Sequence, residues 1–576
     1  MVFDYSSLPR DFPRRYVPRD MALSWDSLPP LFDELKNRPV RTREELERWM
    51  ADEDELSAII YEKKALVTIN YSRQTDNEGY KKDYADFVQE LEPRVKLASF
   101  ELVKKYISCP ARKDLPRPQF SIVDRNRENL VSIFREANVP LEKEDAQLVE
   151  KYQGVMGAMT IQFKGQERTL QQMFKFLEET DRGLREEAWK LSVNRLLQDS
   201  GRLDEIYDGM VRLRDSMGRN AGFESYRDYI FRHKNRFDYT PDDCVKFHDA
   251  VEKYFVPLSR EVDEERRRKL GLGELMPWDM GVDPDGKPPL APFRTTDELV
   301  AGCAKVFEKV DPQFFRYFGR MTELELRDLE SRKGKAPGGF QDDLTEVRLP
   351  FIFMNAAMRD GDVRTLLHES GHSFHAFLMR DAKLPCYYSG QNLPAEFVEV
   401  ASTSMELVGG EHIEGVFYGP EEARRSNREE VVQMIKLFPW IASIDAFQHW
   451  VYTHAGHTSE ERADAWIRIL KRFKGLESYE GFEGAQRKRW QRQLHLFQFP
   501  FYYIEYGIAT LGALGIWFRY RRDPKGAVES YKRALSLGSS RALPELFKAA
   551  GLPWDMGPKV IEEYAKELRS AWRSYA

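Results

Sequence analysis

The chain has 576 residues, and 88 Lys and Arg set against 94 Asp and Glu leave a net charge of -6 although 32% of positions are charged. A near-balance of that kind argues against nucleic acid or an anionic membrane surface as a partner, since either calls for a basic excess. Four widely spaced cysteines without a CxxC pair suggest neither a disulfide framework nor a thiolate metal cluster, and suit a reducing cytoplasm. In chain order, the opening MVFDYSSLPRDFPRRYVPRD has no apolar h-region and does not read as a signal peptide. Apolar residues at i, i+3 and i+4 predict amphipathic helices over Thr42 to Met50, Tyr80 to Tyr106, Thr169 to Leu197 and Arg202 to Met217. Phe120 to Asp124 reads as a short strand, Leu270 to Pro292 as a long irregular connection or lid, and Gly338 to Gln341 and Glu346 to Asn355 as two more strands. No run reaches the 18 apolar residues of a membrane span, and Gly507 to Phe518 reads as a buried helix. The expectation is a mostly α protein with a small β-sheet and a large core; no fixed-period repeat is present, and nothing sets an oligomeric state.

The segment His368-Glu369-Ser370-Gly371-His372 stands apart, because roughly 0.03 matches to HExxH arise by chance in a chain of this composition. The turn Asp360-Gly361-Asp362, followed by Val363, Leu366, Leu367, Phe374 and Phe377 at helical spacing, predicts a helix through Met379. Histidines at i and i+4 then share a face and can hold a zinc ion, with Glu369 one step round as its base. Gly371 costs about 1 kcal/mol relative to alanine in a helix interior, which points to close backbone packing. A catalytic zinc takes a third protein ligand. His375, a further turn along, lies too far up the helix axis to serve and is read as a supporting group behind the ligands. The long-spaced third histidine of metzincins would fall at Arg380 to Asp381, where none stands. In AEFVEVASTSMEL, Ala395 to Leu407, Glu399 and Glu406 share a helical face; Glu399 is the candidate ligand and Glu406 the group that orients a ligand histidine. His449, His454 and His457 read as a helix end rather than a second metal cluster, and His233, His248 and His412 receive no role.

These motifs carry a resemblance. HESGHSFH followed by FVEVAST is similar to the M3 family of zinc metallopeptidases, in its bacterial oligoendopeptidase F branch, with thimet oligopeptidase and neurolysin as more distant relatives. KAPGGF at Lys335 to Phe340, LPFIFMN at Leu349 to Asn355, and His495 with PFYYIEY at Pro500 to Tyr506 extend the resemblance from Lys335 to Trp517. GFESYRDY, Gly222 to Tyr229, is the one fitting stretch upstream.

The resemblance implies a helical fold enclosing a deep substrate channel, with residues 1–200 as one wall and 201–576 as the catalytic region. It implies one zinc ion per chain on His368, His372 and Glu399, and Glu369 as general base. Tyr506 would donate to the oxyanion, while His495 and Tyr503 would position substrate. Tyr502 adjoins them, and because tyrosine spacing differs by one residue between branches, the pairing of Tyr502 and Tyr503 with those roles stays open. From the residues alone, FPFYYIEY is ordinary core. Gly338 and Gly339 either make a turn or let an extended peptide approach the sheet edge as a substrate-binding element. The implied activity is internal cleavage of oligopeptides. Alternatives are a zinc carboxypeptidase or dipeptidase on a similar helical scaffold, and a catalytically silent peptide-binding protein; Glu369 argues against silence, since a structural site needs no base.

Overall fold

The structure, a computed structural model, describes residues 4–12, 14–117, 119–380 and 393–575; Cys386, Asp381 and the first three residues of the N-terminal segment lie outside these. Thr42 starts helix α1 (Arg43–Arg73): its hydroxyl accepts from the Glu45 N–H, and the Glu45 carboxylate accepts from the Thr42 N–H, a reciprocal capping box. Leu46, Trp49, Met50, Leu56, Ile59 and Ile60 form its buried stripe. The Tyr80 to Tyr106 stretch is two helices, Glu78–Asp86 and Glu92–Ser108, joined by the wider turn Phe87–Leu91.

Phe120 to Asp124 is not a strand but the start of helix α2 (Ser121–Ile133). Buried Asp124 takes Arg112 at 3.1 Å, Arg117 at 2.5 Å and the Tyr106 hydroxyl at 3.1 Å, partners remote enough that a five-residue alternation could not reveal them. Strands β1 (Thr160–Phe163) and β2 (Gln166–Thr169) form a hairpin that escaped the sequence reading, turning through Lys164 at φ 51° and Gly165 at φ 74°. Two positive φ values match the tight hairpin turn usually signalled by Asn-Gly, here written Lys-Gly. The Thr169 to Leu197 stretch is interrupted, and its second helix, Arg182–Gln198, starts at Asp181, whose carboxylate takes the N–H groups of Gly183 and Leu184.

Helix α3 (Pro241–Lys269) runs into the expected irregular connection, regular only at Pro277–Asp279, before α4 (Thr296–Val310). Then come β3 (Arg327–Glu330), β4 (Phe340–Leu344) and β5 (Leu349–Ala356), a three-stranded sheet in the order β3-β5-β4, with β5 parallel to β3 and antiparallel to β4. Six of the eight β5 residues are buried, as its continuous apolar run requires of a central strand. Lys335 locks the sheet: its ammonium donates to the carbonyls of Asp328 and Met354 at 3.0 and 2.6 Å and to the Asp328 carboxylate at 2.8 Å. Main-chain bonds from Ala336 to Ser72 and from Thr75 to Gly334, both 2.7 Å, tie the glycine turn to the end of α1.

The remaining elements used below are α5 (Asp360–Met379), α6 (Ala395–Gly410), α7 (Pro420–Thr453), α8 (Tyr503–Arg522) and α9 (Pro524–Leu535). The chain divides into two compact units, one of Met1–Ser132, Ala291–Ala423 and Gly512–Trp554, the other of Ile133–Leu290, Arg424–Leu511 and Asp555–Ala576. The fold is mostly α, as expected, with the HExxH helix packed beside the three-stranded sheet in the first unit. No helix among the described residues is long and apolar enough to cross a membrane.

Candidate metal centre and active site

Asp362 sets the start of α5: its carboxylate accepts the N–H groups of Ala357 at 2.7 Å and Arg359 at 2.8 Å. From that start the helix carries His368 and His372 on one face, ring centroids 5.1 Å apart and nearly perpendicular. Gly371 explains how α6 reaches them. A Cβ there would stand 2.5 Å from the Ala401 carbonyl oxygen and 2.6 Å from Ser402 Cα, so only glycine admits the α6 backbone. Tyr531 of α9 donates to the same Ala401 carbonyl at 2.7 Å.

The close approach puts Glu399 Oε2 3.3 Å from His368 Nε2 and 3.6 Å from His372 Nε2. Donors held about 2.0–2.1 Å from a tetrahedral zinc are separated by roughly 3.3–3.4 Å, the edge of the tetrahedron, so two imidazoles and a carboxylate at these separations fit that ion. Glu406 Oε2 lies 3.1 Å from His368 Nδ1, leaving Nε2 to face Glu399, and Ser402 donates to Glu399 Oε2 at 2.9 Å.

Electrostatics favour a cation here. Burial works to raise the Glu399 carboxyl, but the hydrogen bond from His368 and the histidine charges outweigh it and draw it down to about 2. Burial likewise opposes a charge on His368, but hydrogen bonds with Glu399 and Glu406 win and raise it well above the usual imidazole value. Desolvation lowers His372 to about 4, favouring the neutral form a metal ligand needs, and lowers His375 behind it to about 3. Burial pushes the Glu369 carboxyl up to about 7, with Glu399 and Glu406 adding to the push and His368 and the Gln341 N–H opposing it.

Gln341 belongs to β4, which among the described residues pairs on one side only, with β5, so the strand passing Glu369 is a sheet edge there. Gly338 has φ 94°, and Asn355 donates to the Ala336 and Gly338 carbonyls at 2.8 and 2.9 Å, holding the turn; a Cβ on Gly339 would meet the Phe353 carbonyl at 3.4 Å. Beside β4 lies a cavity of about 470 Å³ lined by Tyr61, Lys64, Tyr84, Asp342, His372 and His375 among others. His375 lines this cavity, and among the described residues its Nε2 has no hydrogen-bond partner.

His495, Tyr502, Tyr503 and Tyr506 are brought together in a separate cluster within the second unit. Tyr506 lies 3.4 Å from His495 Nε2, Gln493 sits 3.0 Å from His495 Nδ1, and the His495 ring is within 5.1–5.8 Å of all three tyrosine rings. Burial lowers the His495 pKa and raises that of Tyr503. Glu505, buried in the first turn of α8, pairs with Arg236 at 2.6 Å and Lys234 at 2.9 Å and anchors the start of that helix.

Residues 175–556 match the family model "Peptidase family M3", and residues 22–134 match "Peptidase M3 N-terminal domain". The chain belongs to peptidase family M3. Among M3 relatives, it is 24% identical to "Oligopeptidase PepF" of Bacillus subtilis (strain 168) over 68% of its own length and 58% of that protein, so it spans under two thirds of that relative. It is 20% identical to an "Oligoendopeptidase F homolog" of Mycoplasma pneumoniae over 82% of this chain and 81% of that one. The solved structure of PZ peptidase A with an inhibitor superposes with TM-score 0.88 at 26% identity, covering 98% of this chain and 99% of the other. A structure provisionally assigned as oligoendopeptidase F gives TM-score 0.88 at 27% identity, with 98% of each chain covered.

The M3 motif reading passed over Ser402, Gln493 and the Arg236–Glu505 pair. Ser402 lies inside the quoted ASTS run, three residues after Glu399, a spacing that places a hydroxyl beside a carboxylate one turn away; the other two carry no local signal.

Proposed function

We propose that this chain is a zinc-dependent oligoendopeptidase that hydrolyses internal bonds of short peptides. The donor set supports it: two imidazole nitrogens stand 3.3 and 3.6 Å from one carboxylate oxygen, at tetrahedral-edge separations, with a further buried carboxylate, Glu369, beside them. His368, His372 and Glu399 are the ligands, and Glu406 orients His368. Zinc supplies a Lewis acid that acidifies water and polarises a carbonyl oxygen. Glu369 takes the proton of the attacking water and passes it to the leaving nitrogen, general acid and base work worth typically ~10²- to 10⁴-fold. The β4 edge pairs with the extended peptide backbone, giving sequence-tolerant binding, with Gly338 and Gly339 leaving room for its approach. Tyr506 donates to the substrate oxyanion, worth a few kcal/mol in such sites; His495, Tyr503 and Tyr502 position the peptide.

The test separates ligands from base. Glu369→Gln retains the zinc of this site and loses at least ~10²-fold in kcat, whereas His372→Ala loses both that zinc and hydrolysis. Retention of this site's zinc by His372→Ala at the wild-type stoichiometry, or near-normal turnover by Glu369→Gln, contradicts the assignment.

A further inference from the structure

His248 and His449, which the candidate active site leaves aside, meet on one buried carboxylate. Cys244 and His248 stand four residues apart on α3, and Asp445 and His449 four apart on α7, so each helix presents a pair of donors on one face. The helices pack along that face: Phe255 stacks on Phe438 with centroids 4.2 Å apart, and Lys436 bonds Asp263 at 2.5 Å. His248 Nε2 lies 2.8 Å and His449 Nε2 3.3 Å from Asp445 Oδ2. Donor atoms of Cys244, Asp445 and His449 all fall within 4.8 Å of one another. The cluster is sealed, with exposures of 0% for Cys244 and Asp445, 2% for His248 and 8% for His449. Phe231, Phe473 and Phe501 pack their rings on the two histidines.

Hydrogen bonding does not close this cluster. Among the described residues, Asp445 Oδ1 and both ring nitrogens of His449 lack a hydrogen-bond partner, although buried polar atoms are almost always partnered. The 3.3 Å gap between His449 and Asp445 equals the edge of a tetrahedral ligand shell. One cation serves both orphaned residues and the Cys244 thiolate together. A thiolate and a carboxylate neutralise a divalent ion, which keeps burial affordable where a lone carboxylate would stay uncompensated. Thiolate, imidazole and carboxylate together suit zinc rather than a hard, all-oxygen cation.

We propose that Cys244, Asp445 and His449 hold a second, structural zinc-type ion that clamps α3 to α7. His248 donates to Asp445 from behind and fixes that carboxylate, as the outer partners of metal ligands do. The sequence trace is a pair of half-motifs, C-x3-H and D-x3-H, some two hundred residues apart.

Full-length protein produced with excess zinc tests this. Wild type is expected to hold two ions per chain by elemental mass spectrometry, and His372→Ala one. Zinc-edge X-ray absorption of His372→Ala is expected to show one sulfur at about 2.3 Å. Cobalt-loaded His372→Ala is expected to show thiolate-to-cobalt charge-transfer absorption that vanishes in His372→Ala/Cys244→Ser. His368, His372 and Glu399 include no sulfur, so the sulfur signal reports on the second site whatever the first one binds. Absence of sulfur from the metal shell and of the thiolate band in His372→Ala overturns the proposal and leaves an Asp445–histidine ion pair in its place. The X-ray measurement decides the matter even where Cys244→Ser does not fold.

Discussion

Glu399 Oε2 is the atom on which the candidate centre converges, with His368, His372 and Ser402 all within 3.6 Å of it. Its orientation therefore rests in part on Ser402, one turn along α6. Ser402→Ala, which removes that hydrogen bond without adding bulk, is expected to weaken zinc binding ~10- to 100-fold, as loss of an outer partner does elsewhere. Competition with a chelator of known affinity measures it, and unchanged affinity would contradict the role given to Ser402. Glu406→Gln is expected to act in the same direction through His368. The HExxH pair and Glu406 were legible because helical spacing alone orients them. Gly371 was legible too, because a glycine in a helix interior needs a packing reason, and the α6 backbone supplies it.

At the scale of elements, the α5–α6 contact is the joint on which the site depends. Gly371→Ala drives a methyl into backbone atoms 2.5–2.6 Å away, which cannot swing aside as a side chain can. The expected cost is about 1–3 kcal/mol for an overpacked core, together with a loss of zinc affinity as Glu399 is pushed off. Thermal unfolding with and without zinc reads both, and a Tm equal to wild type would contradict the close approach. A second joint is Asp328, buried between α1 and β3. Burial works to raise its carboxyl, but bonds from Arg332, Lys335 and Arg73 outweigh that and hold it well below the usual carboxylate range. A depressed folded pKa contributes stability that is fully present above the unfolded value of about 3.9 and is lost as pH falls through the folded one. Asp328→Asn is expected to cost about 3 kcal/mol at pH 7 by leaving the buried Lys335 and the largely buried Arg73 without their carboxylate, and to flatten the loss of stability below pH ~4. Equal acid sensitivity of variant and wild type would contradict this. The sheet beside α5 was legible because β5 is a continuous apolar run. The β1–β2 hairpin was not, since Lys164 is an unusual residue at φ 51°, and neither was α2, whose Asp124 is held by cations and a tyrosine outside the local pattern.

Over the whole molecule, each compact unit is gathered from three separate stretches of chain; the Pro- and Gly-rich Leu270 to Pro292 connection, a possible boundary in the sequence, contains the Leu290/Ala291 division, and the other divisions carry no such mark. Helix content and the family were readable from periodicity and motif; the assembly of distant segments was not, because long-range pairings such as Asp445 with His248 have no local signature. The same limit hides side-chain preference, which belongs to pockets such as the one where Tyr61 and Lys64 of α1 meet Asp342 and His372. The central claim is zinc-dependent internal cleavage by Glu369. The most direct measurement is mass-spectrometric mapping of products from a peptide of about ten residues blocked at both ends, incubated with wild type, with Glu369→Gln and with chelator-treated enzyme. Internal cuts by untreated wild type alone are the predicted result. Cleavage only after an end is unblocked would make this an exopeptidase, and cuts that persist in Glu369→Gln or without metal would contradict the account.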